Sequence, residues 1–410
     1  MSANQEQIGQ LVGLTEANRD PFIATSIRNT AAALVEDAAK VKSGQKVLIW
    51  FDAPGIELVK EMNLRCQALG AEVKFYMREY EEDAAALENL DQEGIHHMFD
   101  EESELINWAD NMLIVRNPED PEAMGRAPKD KAKMYADRYS QVHEKRFSNH
   151  VAWSLFLFPT EYEAGKEGLP YGEYFREYME ACNQPWGEIR KTQAKLIEKL
   201  NRGKTLELVA NENDEDPNRR THVTMSIDGM TFCNSTVDAN YPGSEVFSAP
   251  VMDSVNGQIF APGEYMYSSI LMKDIQLIIE NGKIVEAHAA ENDEGLQEIL
   301  SRGEGARYFG EVALGTNPGL TRRFFNDLLN EKVSGSFHMA LGHCYTFKEY
   351  AGEQVNVMNG NDEKRTSNHW DLTILMHPST GGGRVVVDGE VIQKDGKFLD
   401  PELALLNPKI

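Results

Sequence analysis

Basic charge is scarce in this chain. Lys and Arg number 41 against 66 Asp and Glu, a formal net charge of −25. A surface of that sign repels phosphate backbones and anionic lipid, which argues against nucleic acid and membrane surfaces as partners. Cysteine is scarce too. Cys66, Cys182, Cys233 and Cys344 stand far apart with no CxxC pair, so a zinc ribbon, a redox dithiol and a disulfide scaffold all lack their ligands. Long apolar runs are missing: VAWSLFLF (151–158) falls well short of the roughly 20 residues that span a bilayer. The opening MSANQEQIGQLVGL is polar and lacks the basic and apolar regions of a signal peptide. A cytoplasmic location is the expectation that follows.

Core-forming residues are abundant. Hydrophobic residues make up 41% and aromatics 9% of 410 residues, more chain than one ordinary domain holds. The first half alternates strand and helix signals. KVLIWFDA (46–53), AEVKFYMRE (71–79), ADNMLIVRN (109–117) and HVAWSLFLFPT (150–160) read as strands. IELVKEMNLRCQALG (56–70) has helical apolar spacing and ends at a glycine suited to a helix C′ position. Strands separated by helix-length segments predict an α/β unit with a mostly parallel sheet. The charged stretch 117–146 reads as a loop followed by a solvated helix, and 186–204 as a helix closing this half. Beyond residue 200 the chain turns β-rich, with a hairpin at Asn281-Gly282 in ENGKIVEA. The expected organisation is an α/β domain over 1–200 and a β-rich α+β catalytic domain over 201–410.

The β-rich half places imidazoles and carboxylates beside apolar runs. His369 and Asp371 stand two apart in SNHWDL; on a strand they share a face, with Trp370 on the other. Such a pair can hold a metal ion or simply bond to itself. His338 opens HMALGHCY and Tyr345 closes it, Glu245 lies in YPGSEVFSAP, Glu311 in RYFGEVALG, and Glu331 in LLNEKVSG. Taken singly, each has an ordinary structural explanation. Together, two imidazoles and several carboxylates form a donor set for two divalent ions of hard to borderline character.

These segments resemble the M29 peptidases, the metal-dependent family of aminopeptidase T, AmpS and PepS. PGSEVFSAP is similar to the family's PTEEVFTAP-like segment, GEVALG to its GEVAL, HMALGHCY to its H-x-A-L-G-x-x-Y, and NHWDL to its C-terminal His-x-Asp. The resemblance is strong over about 230–375 and extends to WSLFLFPTEYEA in the first half. It implies Glu245, Glu311, His338, His369 and Asp371 as ligands of two divalent ions (Zn, Co, Mn or Mg), with Glu311 bridging. Tyr345 would bind metal weakly or donate a hydrogen bond to the oxyanion. Glu331 is the counterpart of a further family glutamate, reached here through the longer connection NEKVSGSFH; it would be a ligand or a proton shuttle. The implied activity is removal of N-terminal residues from short peptides, and the implied assembly a homodimer.

Three other signals carry less. His343-Cys344 would face opposite ways on a strand, STGGGR (379–384) lacks the context of a phosphate loop, and His96-His97 has no ligand partners nearby. The rival reading is a mononuclear iron(II) ring-cleaving dioxygenase using His338, His369 and Asp371 as a facial triad. It leaves Glu245 and Glu311 without roles.

Overall fold

The computed structural model describes residues 21–148, 151–268 and 270–409; the polar opening segment read above for a signal peptide lies outside them. Among the described residues no helix is long and apolar enough to cross a membrane. The chain divides into two compact units. The first runs to Asn183 and takes in Val237–Pro242; the second comprises Gln184–Thr236 and Gly243–Ile410.

The first unit is built on Lys46–Asp52 (β1), buried at every position after Lys46. A strand covered on both faces needs such a continuous apolar run. It pairs in parallel with Glu72–Arg78 (β2) and Asn111–Arg116 (β3), and β3 pairs in parallel with Ala152–Leu157 (β4). Asn240–Tyr241 adds a fifth parallel strand beside β4. The helix Ile56–Ala68 joins β1 to β2, and Gly70 at φ +80° ends it as expected of a C′ glycine. One sequence expectation needs correction. The helix Lys129–Ser148 is not merely solvated, because Tyr135, Val142 and His143 are buried. Tyr135, Tyr139 and Val142 are spaced as one helical stripe and pack on a core that includes Trp50, Phe99 and Ile106. His96 and His97 end a short helix, Gln92–His97, and His97 bonds Asp100 at 2.7 Å.

The second unit opens with the helix Trp186–Arg202, whose Ile189, Gln193, Leu196 and Leu200 form a buried stripe. Its larger sheet has eight antiparallel strands from Thr205–Ala210 to Lys397–Phe398. Within it Ile270–Glu280 and Lys283–Glu291 form the hairpin expected at Asn281-Gly282. Both turn residues have positive φ, 48° and 81°, as a two-residue hairpin turn of matching twist requires. STGGGR supplies the connection Pro378–Thr380 and the start of the strand Gly383–Val387, not a strand-to-helix phosphate loop.

The smaller sheet carries the candidate site. Its strands are Cys233–Ser235 (β5), Glu245–Ser248 (β6), Phe309–Gly315 (β7), Ser336–Gly342 (β8) and His369–Leu375 (β9), all antiparallel, in spatial order β9-β8-β7-β6-β5. The fold as a whole is an α/β unit with a parallel sheet plus a β-rich unit.

Candidate metal centre

Strand alternation gathers the site. On β8, His338, Ala340 and Gly342 share one face, while Phe337, Met339 and Leu341 fill the buried apolar face. On β9, His369 and Asp371 take the site face and Trp370, Leu372 and Ile374 the other. Ala340 is opposite both Glu311 of β7 and Asp371 of β9; Gly342 is opposite His369, and Ala313 opposite His338. These small residues form a low floor, so the longer imidazole and carboxylate arms converge above it. Gly342 cannot be larger: at φ +118° a Cβ would lie 2.0 Å from the Asn368 carbonyl oxygen. Glu245 begins β6 opposite Gly315. Its backbone carbonyl accepts from Gln193 at 3.1 Å, and Gln193 also reaches Ser244 and Thr316.

Two donor groups result. One is Glu245, Glu311 and His338; the other is Glu311, His369 and Asp371, with ligand atoms in each group within 4.8 Å of one another. Glu311 belongs to both. Its Oε1 lies 3.6 Å from His338 Nε2 and its Oε2 3.1 Å from His369 Nε2. His338 Nε2 also stands 3.4 Å from Glu245 Oε2 and 3.9 Å from Asp371 Oδ1. His369 Nδ1 is 2.8 Å from the His343 carbonyl oxygen. That contact makes Nδ1 the donor and turns Nε2 toward the carboxylates, the second contact that ligating imidazoles need. Glu245 Oε2 and Asp371 Oδ1 are buried oxygens with no hydrogen-bond partner. A buried anionic oxygen left alone is costly, so these two atoms mark where cations fit.

Tyr345 lies beside the group, its ring 5.4 Å from His369 and 5.2 Å from Phe247. Burial and the carboxylates Glu311, Glu245 and Asp371 hold its phenol well above the usual range, so it stays a hydrogen-bond donor. Glu331 lines a recess of about 170 Å³ together with Tyr265, Tyr267, Arg323, His369 and Asp371. The sequence reading passed over Lys332. Its side chain is 1% exposed, and Nζ lies 2.6 Å from Glu245 Oε1 and 2.6 Å from Glu331 Oε2. Burial works against the ammonium, but Glu245 and Glu331 outweigh it and keep the pKa above that of an ordinary lysine. Its one sequence signal is its position directly after Glu331 in the long NEKVSGSFH connection.

The site is strongly polarised. Burial disfavours imidazolium, yet bonding to Glu311 and the charges of Asp371 and Glu245 push His338 up to about 9. Against the same burial, Asp371 and Glu311 push His369 up to about 10. Burial and Glu331 push Asp371 up to about 6, while the two imidazoles hold Glu311 well below the usual range despite its burial. Because both histidine pKa values are raised, their pairing with the carboxylates stabilises the fold fully below about pH 6.5, and that contribution is lost as pH rises through 9 to 10. A divalent ion held by these two imidazoles would displace those protons. Loading a divalent ion near pH 7.5 is therefore expected to release about two protons per chain. Calorimetric titration in buffers of different ionisation enthalpy measures this, and no proton release would contradict the ligand assignment of the two histidines.

The sequence profile of the family described as thermophilic metalloprotease (M29) matches residues 23–398. The chain belongs to the M29 family. Aminopeptidase AmpS of Bacillus subtilis (strain 168) is 31% identical over 186 residues, 43% of this chain and 42% of that protein. Aminopeptidase T of Thermus thermophilus is 29% identical over 280 residues, 59% of this chain and 64% of that one. The matches thus span less than two thirds of either relative. The solved structure of wild-type AmpT from Thermus thermophilus superposes with a TM-score of 0.71 at 21% identity, covering 92% of this chain and 100% of that chain. A 2,5-dihydroxypyridine dioxygenase from Pseudomonas putida KT2440 superposes at 0.54 and 14% identity, covering 93% and 99%. At such identities both likenesses concern the fold alone. An M29 metalloprotease implies a bound metal, and the two unpartnered oxygens with their mixed N/O donors suit one.

Proposed function

We propose that this M29 protein is a metal-dependent aminopeptidase that removes the N-terminal residue of short peptides, using two divalent cations held by Glu245, Glu311, His338, His369 and Asp371. The observation that carries the reading is the position of Glu311, buried at 2% exposure and shared by both donor groups. Bound divalent ions supply a water of lowered pKa and polarise a carbonyl. The chain's own residues do the rest. Glu331, half-buried at the recess and 2.6 Å from Lys332, takes a proton from the attacking water and passes it to the leaving amine. Tyr345, kept as a neutral phenol, donates to the developing oxyanion. Glu331 and Asp371 give the recess the negative charge that a substrate's α-ammonium requires, while Tyr265 and Tyr267 flank its side chain.

The rival, a one-iron dioxygenase using His338, His369 and Asp371, has a neighbour of related fold. It leaves Glu311 between the two imidazoles with no task. We also propose, from the family resemblance, a cytoplasmic homodimer. The test is reconstitution. Protein stripped by a chelator and reloaded separately with Zn, Co, Mn or Mg is expected to bind two ions per chain and to recover cleavage of a leucyl amide and of tripeptides with at least one metal. One ion per chain and no cleavage with any of the four would sink the proposal.

A further inference from the structure

We propose that Lys332 is a positioning residue of the metal centre that divides its carboxylates between cation binding and proton transfer. The inference rests on the two-cation reading above. A fixed ammonium is an unexpected neighbour for a cation site, since it competes for the same anionic oxygens. Here it is built in. The Lys332 backbone is held on both sides, its N–H donating to the Leu329 carbonyl and its carbonyl accepting from Asn317 N–H at 2.9 Å. The 1% exposed side chain then reaches Glu245 Oε1 and Glu331 Oε2, each at 2.6 Å.

The consequences differ for the two glutamates. Glu245 has one oxygen occupied by the ammonium. Its other oxygen, Oε2, has no hydrogen-bond partner and stands 3.4 Å from His338 Nε2. Glu245 would thereby offer a cation one oxygen, Oε2. Glu331 is held by the same ammonium, whose positive charge repels a divalent ion, and it stands outside both donor groups, so it would remain an uncoordinated carboxylate, the state a general base requires. Among the described residues no lysine pairs with Glu311 or Asp371, whose oxygens face His338 and His369. Lys332 thus acts through Glu245 and Glu331 and touches no reacting atom.

The test compares wild type, Lys332→Met and Lys332→Arg as full-length proteins reconstituted with Co(II), reading cobalt per chain, the visible absorption band, and kcat and KM on a leucyl amide. In Lys332→Met, Glu245 is freed to bind through both oxygens and Glu331 to approach the metal. Cobalt content is expected to persist, the band to lose intensity as coordination number rises, and kcat to fall roughly 10–100-fold with KM little changed. Lys332→Arg restores a cation, and with it the wild-type band and part of kcat. A methionine variant with wild-type band and turnover would overturn the proposal. If that variant fails to fold, Lys332→Gln keeps a donor without the charge; the same weakened band is expected, and a wild-type band overturns the proposal equally. Wild-type protein that binds cobalt but cleaves no peptide removes the peptidase reading, while the band comparison still decides the role of Lys332.

Discussion

Glu311→Gln is expected to strip metal from the centre and stop turnover in a protein that still folds. Glu311 sits on β7 with one oxygen toward His338 and the other toward His369, at 3.6 and 3.1 Å. Glutamine keeps the volume, so the packing of a residue only 2% exposed is preserved. It removes the charge shared by both donor groups and presents an NH₂ donor where one oxygen was. Two dications near each other repel strongly inside a protein, and a neutral amide offers them no compensation. Metal per chain is expected to fall, and kcat/KM on a leucyl substrate to fall roughly 10³-fold or more, about 4 kcal/mol of transition-state stabilisation. Elemental analysis, steady-state kinetics and circular dichroism measure the three quantities. In the one-iron reading the iron content stays unchanged, and in a purely structural role only stability shifts. Unchanged metal with near wild-type turnover would remove Glu311 from the centre and the two-cation mechanism with it.

What could be read in the sequence follows from periodicity. The apolar run of β1 and the alternation in β9 are local patterns, and local patterns fix which face a side chain takes. That His369 and Asp371 share a face is therefore legible from their spacing. Their meeting with Glu311 and His338 depends on strand order and register, which alternation does not encode; it emerged only through likeness to a family. The fifth strand of the first sheet, Asn240–Tyr241, was illegible for another reason. Two residues are too short for a pattern, and nothing near Val237–Pro242 signals its return to the first sheet. The helix Lys129–Ser148 was misread because charged residues surround its three-residue stripe. Lys332 was hardest to see. Lysine is almost never fully buried unless paired, and its partners lie 87 residues upstream and immediately adjacent, a combination no local window reveals.

Glu331→Gln is expected to leave the metal in place and remove the proton transfer. Glu331 is absent from both donor groups, and its carboxylate is held by Lys332 at 2.6 Å on the wall of the recess. The amide keeps the size and can still accept from the ammonium through its oxygen, so Glu331→Gln leaves Lys332 and Glu245 close to their present places. What it loses is basicity: a carboxamide takes no proton from water near neutral pH. General-base catalysis contributes roughly 10²–10⁴-fold, and kcat is expected to fall by that factor while metal per chain stays at the wild-type level. KM for a leucyl amide should rise modestly, since Glu331 also adds negative charge near the substrate's α-ammonium. The combination separates this residue from Glu311, whose loss takes metal and turnover together. Loss of metal in Glu331→Gln would make Glu331 a ligand and overturn the division of labour attributed to Lys332. Full turnover would pass the proton transfer to another group, and Asp371 is then the remaining carboxylate that borders both the metal donors and the recess.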